Sequence, residues 1–230
     1  MTETALKNER LAARLDRLVS PFYERDGITI YNADCREILP FLDRFDLLLT
    51  DPPYGMNRDG KPPSTSRHGG HKGYKFAGWD NEPPKRYLFD MLFEVSDEQI
   101  IWGANFFPHC VPPSMGWLFW DKGQRIDQSD GELAFTSRDG ALRVFELNRA
   151  AIAQDGAVHP TQKPLRLMKW CIGLVPEAKS VLDPFMGSGT TLLAAKLLGL
   201  RAVGIEINRE YCEAAVERLR QGVLCFDSEG

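Results

Sequence analysis

Residues 46–55 read Asp-Leu-Leu-Leu-Thr-Asp-Pro-Pro-Tyr-Gly, and no other stretch restricts the fold as much. A short apolar run suits a strand buried on both faces, and the carboxylate, two prolines and aromatic that follow end it abruptly. Strands of this type belong to α/β sheets, where chemistry gathers outside the carboxyl ends of the strands. Just upstream, Ile28 to Tyr31 alternates as a strand ending at Asn32-Ala33-Asp34, and Arg36 to Leu42 reads as a short helix. Strand, helix, strand over so few residues predicts a right-handed βαβ unit with a parallel strand pair. Asp34 and Asp51 are then expected on the same sheet edge.

The end of the 46–55 strand suits a planar substrate bearing an amino group. Asp51 supplies an acceptor, Pro52 supplies a carbonyl on a backbone that Pro53 restricts further, and Tyr54 adds a flat face beside both. Turn chemistry alone is the alternative reading of these residues. Directly afterwards, residues 56–78 carry Arg58, Lys61, Arg67, Lys72 and Lys75 against Asp59 as the lone acid, interleaved with glycines and aromatics. A basic loop in that place could hold a phosphate backbone over the site, a solvated loop being the alternative.

Further along, a surface helix is expected over Ala5–Leu18 and an amphipathic one over Lys85–Val95. Gln99–Phe107 and Gly116–Trp120 read as strands. Glu132–Thr136 and Leu142–Leu147 read as two more, joined by Ser137-Arg138-Asp139-Gly140 as a hairpin turn. After His-Pro-Thr-Gln-Lys-Pro (159–164) and a helix over Leu165–Leu174, a second α/β segment begins. It runs as a strand at Ser180–Asp183, the turn Pro184–Thr191, a helix at Leu192–Leu198, a strand at Ala202–Glu206 and a helix at Arg209–Arg220. A glycine turn between strand and helix lets a ligand approach the backbone, and the helix N-terminus favours an anion. Gly187-Ser188-Gly189-Thr190 lacks both the P-loop lysine and the spacing of a dinucleotide fingerprint. Glu206, ending the next strand, is expected to accept from ribose hydroxyls, so the pair points to a nucleoside ligand and does not require a diphosphate.

The chain of 230 residues, 43% of them hydrophobic and 26% charged, reads as a single domain over 1–230. Neither a membrane-spanning run nor a secretory leader is indicated, so a cytoplasmic protein is expected. The scattered cysteines Cys35, Cys110, Cys171, Cys212 and Cys225 form no Cys-x-x-Cys pair, which argues against a zinc site or a disulfide framework, and no metal is expected. A net charge of −4 speaks against a protein that coats nucleic acid generally.

Taken together, Asp-Pro-Pro-Tyr (51–54), Asp-Pro-Phe-Met-Gly-Ser-Gly-Thr-Thr (183–191), Gly-Ile-Glu-Ile-Asn (204–208), His-Pro-Thr-Gln-Lys-Pro (159–164), Asn-Ala-Asp-Cys (32–35), Trp-Gly-Ala-Asn-Phe (102–106) and Trp-Asp-Lys (120–122) resemble the motifs of the amino-methylating DNA methyltransferases. The catalytic motif precedes the glycine-rich one, as in the permuted beta-type subclass. The resemblance implies a Rossmann-like class I methyltransferase fold, circularly permuted, with a seven-stranded, mostly parallel sheet in the order 3-2-1-4-5-7-6 and one antiparallel strand at an edge. It implies S-adenosyl-L-methionine as cofactor, held by Asp34, Thr161, Gln162, Lys163, Asp183, Pro184, Phe185, Gly187, Ser188, Gly189, Thr190, Glu206 and Asn208. It implies Asp51, Pro52, Pro53 and Tyr54 as the catalytic motif, acting on the N6 of a flipped adenine in double-stranded DNA. Cytosine N4, RNA as substrate and a non-catalytic DNA- or cofactor-binding regulator are the alternatives. A homodimer and a cognate restriction endonuclease are further partners compatible with this family. DNA contacts are expected at Arg58, Lys61, Arg67, Lys72 and Lys75; larger members carry a target-recognition domain where this chain has only Asn148–Val158, so sequence readout falls to the 56–78 loop, the hairpin, a partner subunit or a combination of these, and high sequence specificity is in doubt.

Overall fold

The computed structural model describes residues 20–55, 84–123, 129–148 and 162–224. The expected N-terminal helix, the 56–78 loop with its five basic residues, and Thr161 lie outside the described residues.

A single mixed sheet organises the chain. Its strands are β1 (Tyr23–Arg25), β2 (Ile28–Tyr31), β3 (Phe45–Thr50), β4 (Ser96–Trp102), β5 (Leu118–Asp121), β6 (Gly131–Thr136), β7 (Arg143–Glu146), β8 (Ser180–Asp183) and β9 (Arg201–Ile205). They lie in the order β1-β2-β9-β8-β3-β4-β6-β5-β7. The seven strands from β2 to β5 in that order reproduce the expected arrangement, and β1 and β7 extend it at the two edges. The sheet is therefore nine-stranded rather than seven-stranded.

Two expectations of pairing are corrected. β2 and β3 are parallel members of one sheet but not neighbours, because β9 and β8 from the second α/β segment lie between them. β6 and β7 form no hairpin with each other: β6 runs antiparallel between β4 and β5, while β7 pairs with β5 in parallel. The antiparallel β6 is thus an interior strand, and a second antiparallel strand, β1, lies at the far edge. The turn residues 137–140 are present, but the apolar residues of β6 are satisfied only inside the sheet. Ala134 and Phe135 are fully buried, whereas Val144 of β7 is 52% exposed, as suits an edge. The strand expected over Gln99–Phe107 ends at Trp102, where Gly103 takes a left-handed φ of 70° and a 3-10 turn (Ala104–Phe106) begins.

Alternation along the central strands explains why the run at 47–49 is wholly apolar. Leu47, Leu49, Ile100, Trp102 and Val181 enter the core on one sheet face, under α3 (Leu165–Gly173), α4 (Thr190–Leu197) and α5 (Arg209–Leu224). Leu48, Ile101 and Leu182 enter the other, beneath α1 (Cys35–Ile38) and α2 (Arg86–Glu94). Both faces are covered, so period-2 sequence patterning disappears.

Polar side chains fix β3 against β8 at both ends. At the amino end the Asp46 carboxylate accepts from the Lys179 N–H (2.8 Å), the Ser180 N–H (2.9 Å) and the Ser180 hydroxyl (2.9 Å), which holds its carboxyl below the usual range. At the carboxyl end the Thr50 hydroxyl donates to buried Asp183 over 2.8 Å. These bonds set the height at which Asp51 leaves the sheet.

Candidate active site

Asp51 follows β3 directly, and Pro52 behind it is buried. The Asp51 carboxylate takes a hydrogen bond from the Tyr54 hydroxyl and an ion pair from Lys163. Burial pushes the Asp51 carboxyl above its ordinary value, with Glu132 adding to the rise and Lys163 opposing it. Tyr54 is pushed well above its own range, first by burial and then by Asp51, so it stays a proton donor. Its ring stacks on Phe106, with centroids 4.7 Å apart and planes 17° from parallel. The Tyr54 ring also lies close to Gly103, where an added Cβ would sit 1.9 Å from the ring. A flat aromatic is thus held at the edge of the site beside a half-exposed partner.

The strands ending at Asp183 and Glu206 bring the second group of residues to the same edge. Asp183 is 3% exposed. Besides Thr50, it accepts from the Phe185 N–H at 3.2 Å, and burial pushes its carboxyl up to about 6. Its bonds tie the turn after β8 to β3. Within that turn Gly187 and Gly189 both adopt left-handed φ, 51° and 76°, and Gly189 precedes the first residue of α4. A side chain at Gly189 would also approach the Ala215 Cβ to 2.8 Å. The turn therefore needs glycine twice, for conformation and for contact. Glu206 closes over it, one oxygen accepting from the Gly187 N–H (3.1 Å) and the other from the Asn208 N–H (2.7 Å). Burial raises the Glu206 carboxyl to about 7 against these two bonds.

The remaining residues singled out by the sequence take varied places. Gln162 accepts from the Ser188 hydroxyl at 3.1 Å, which joins the segment before α3 to the glycine turn. Thr190 is buried and accepts from Arg218 Nη1 at 3.1 Å. Pro184 is buried and Phe185 packs on the core. Asn208 accepts from the Glu210 N–H at 2.9 Å and so caps the start of α5. Asp34 caps α1 through the Arg36 N–H (2.9 Å), and its carboxylate is forked by the Arg36 guanidinium, which holds its carboxyl below the ordinary value. The Ala33 N–H donates to the Glu206 carbonyl over 3.2 Å, so Asp34 lies one strand from Glu206. Lys163 points at Asp51 rather than at the glycine turn.

A DNA methylase family profile matches residues 117–217, the stretch from β5 through the glycine turn and Glu206 into α5. Over that stretch the chain resembles the N6/N4 DNA methylases. It is similar to the type II methyltransferase M.HindIII of Haemophilus influenzae, 48% identical over 84 residues, which are 36% of this chain and 27% of that relative. It is also similar to the type II methyltransferase M2.LlaDCHI of Lactococcus lactis, 25% identical over 267 aligned positions covering 89% of this chain and 94% of the relative. The chain thus spans about a quarter of the first relative and nearly all of the second. Among solved structures, the M1.HpyAVI–SAM complex has the same fold, with a TM-score of 0.55 and 24% identity over 84% of this chain and all of the other.

At this site the sequence assigns no individual role to Glu132, Lys122, Gly103 or Arg218, although Gly103 and Lys122 lie in the 102–106 and 120–122 stretches singled out above. Glu132 lies on β6, where it meets both Lys122 (2.5 Å) and Lys163 (2.9 Å). Burial pushes its carboxyl up, but the two lysines outweigh that and hold it at about 2. Its signal was a charged residue inside an otherwise apolar strand, Gly-Glu-Leu-Ala-Phe-Thr. Arg218 of α5 donates to the Ser188 carbonyl (2.7 Å) behind the glycine turn, and helical spacing alone gave no reason to single it out. Among the described residues no group of three or more His, Cys, Asp or Glu could hold a metal.

Proposed function

We propose that this chain transfers the methyl group of S-adenosylmethionine to the exocyclic N6 of an adenine extruded from DNA. The observation that carries the reading is the convergence, on one sheet edge, of the Asp51 carboxylate after β3 with the glycine turn and Glu206 after β8 and β9. The residues suit the cofactor: a half-buried carboxylate for two ribose hydroxyls, and a glycine turn at a helix N-terminus for the methionine carboxylate. Glu206, Gly187, Ser188, Gly189 and Gln162 would hold it, and when bound it supplies an electrophilic sulfonium methyl.

The protein's own part is alignment. The adenine amino nitrogen is a weak nucleophile because its lone pair is conjugated with the ring. Accepting its N–H bonds at the Asp51 carboxylate and the Pro52 carbonyl favours a pyramidal nitrogen with the lone pair turned to the methyl. Each carboxylate oxygen has a second lone pair, so Asp51 keeps this capacity while bound to Tyr54 and Lys163. Extrusion of the base costs a few kcal/mol, and stacking on the Tyr54 face offsets part of it. The basic residues Arg58, Lys61, Arg67, Lys72 and Lys75 are assigned to the DNA phosphates on sequence grounds. Incubation with methyl-labelled cofactor and mixed duplex DNA tests the reading. Label in DNA supports it, while cofactor binding with no label in DNA would leave a binding protein.

Cofactor affinity is expected to depend on pH through Glu206. Its carboxyl is raised from 4.5 to about 7 by burial. The group therefore stabilises the cofactor-free fold fully below its unfolded value, and that contribution is lost as pH rises through about 7. Ribose hydroxyls donate to the ionised form, so affinity should rise with pH up to about 7, approaching tenfold per unit, and level off above it. Calorimetry across this range should show proton release on binding below pH 7 in the parent and none in Glu206→Gln. A pH-independent affinity in the parent would remove Glu206 from the cofactor site.

A further inference from the structure

Beside Asp51 lies a row of side chains whose charges alternate. Asp51 meets Lys163, Lys163 meets Glu132 at 2.9 Å, and Glu132 meets Lys122 at 2.5 Å. All four are largely withdrawn from water, with side-chain exposures of 28%, 8%, 25% and 15%. They come from four separate places: the end of β3, the segment before α3, β6, and the turn after β5. The Lys163 ammonium donates to Asp51 and to the Tyr54 hydroxyl at 3.2 Å, and Glu132 Oε2, which has no hydrogen-bond partner of its own among the described residues, faces it as an ion pair at 2.9 Å. Its Nζ also lies 5.7 Å from the centre of the Tyr54 ring and 5.9 Å from that of Trp102. Two hydrogen bonds and one ion pair thus hold the ammonium beside the Asp51 carboxylate.

We infer that Glu132, backed by Lys122, is a positioning residue for Asp51: it shares the Lys163 ammonium with Asp51, so that Lys163 fixes the Asp51 carboxylate without cancelling its charge. The inference rests on the proposed role of Asp51 as acceptor of the substrate amino group. A lysine paired with Asp51 alone would spend its whole field on that carboxylate and weaken it as an acceptor. A second carboxylate on the far side of the ammonium takes up part of that field, and Lys122 keeps the second carboxylate ionised. The direction of the two acids agrees: Glu132 is held at about 2 and Asp51 is raised, by burial first and with Glu132 contributing. Other groups facing Asp51 are the neutral Tyr54 hydroxyl and the buried Asp183 on β8; Cys171 of α3 faces Lys163.

The two outer members of the row are expected to act in opposite directions. Glu132→Gln keeps the shape of the side chain but removes a negative charge, leaving Asp51 as the one carboxylate on Lys163, so the Asp51 midpoint falls. Lys122→Met removes a positive charge and commits Glu132 wholly to Lys163, so the Asp51 midpoint rises. Shifts of ~0.5–1 pH unit are expected in a carbon-13 NMR titration of the Asp51 carboxyl in the full chain without DNA or cofactor. The acid limb of kcat for methyl transfer should follow in the same two directions, with KM for S-adenosylmethionine changed by less than about twofold. A merely structural role for Glu132 would lower the melting temperature and leave both midpoints at the parent value. Unchanged midpoints, or shifts of the same sign in the two variants, would overturn the inference. Opposite NMR shifts in a parent protein that transfers no methyl group would instead remove the methyl-transfer reading and leave the charge row standing. Lys122→Met alone decides the matter if Glu132→Gln does not fold, since a raised midpoint supports the inference and an unmoved one overturns it.

Discussion

Methyl transfer by Asp51→Ala is expected to fall by about a hundredfold to a thousandfold, the size seen when one preorganised polar contact to a reacting centre is removed. The fold should survive, because β3 is held by groups other than Asp51: Asp46 binds Lys179 and Ser180 at one end, and Thr50 binds Asp183 at the other. Lys163 keeps Glu132 as a partner at 2.9 Å, so the substitution does not strand a buried charge. Asp51→Asn separates charge from shape. It can still accept through its carbonyl oxygen, but it loses the ion pair with Lys163, and its turnover should lie between those of the parent and the alanine variant. Single-turnover transfer, measured beside a thermal melt, checks both claims. A rate within about twofold of the parent in Asp51→Ala would remove Asp51 from the chemistry.

Gly103→Ala should cost turnover at a site that bears no functional group. The residue has φ of 70°, and a Cβ there would lie 1.9, 2.4 and 2.6 Å from three atoms of the Tyr54 ring. A left-handed alanine costs about 1–2 kcal/mol, and relief of the overlap has to displace Tyr54 from its stack on Phe106. Stacking of a base on an aromatic is worth about 1–3 kcal/mol, so the expected loss is about tenfold to a hundredfold in kcat/KM for DNA. Affinity for S-adenosylmethionine should change little, since Gly103 follows β4 and the glycine turn follows β8. Comparable losses in Tyr54→Ala and Gly103→Ala, with little further loss in the double variant, would assign the effect to Tyr54. A Gly103→Ala variant with parental turnover would show that the position of Tyr54 is immaterial.

Much of this architecture was legible because the residues concerned work locally. The strand Ser180–Asp183 and its glycine turn announce themselves through an apolar run followed by residues that tolerate left-handed φ, and Gly187 and Gly189 both adopt it. Asp51 and Glu206 were legible as acids ending buried strands. The pairing of β6 was not, because the Ser137–Gly140 turn signal says only that the chain reverses; which strand it meets next depends on β4 and β5, distant in sequence. The roles of Glu132 and Lys122 were not legible for the same reason. Each is an ordinary surface residue by type, and only the parallel packing of β3 beside β4, with β6 next to it, brings them to Lys163. Asp183 and Asn208 show the reverse case. Their motif position suggested ligand contact, and in the fold each also has a structural partner, Thr50 for one and the α5 backbone for the other.

Methyl transfer is assigned to an exocyclic amino nitrogen of a DNA base, with adenine as the target. Its most direct test is digestion of enzyme-treated duplex DNA to nucleosides, followed by mass spectrometry of the methylated product. The expected product is N6-methyldeoxyadenosine, present with the parent protein and reduced about a hundredfold or more with Asp51→Ala. N4-methyldeoxycytidine would keep the amino chemistry but contradict the adenine assignment, and 5-methyldeoxycytidine or no methylated nucleoside at all would rule out amino methylation by Asp51.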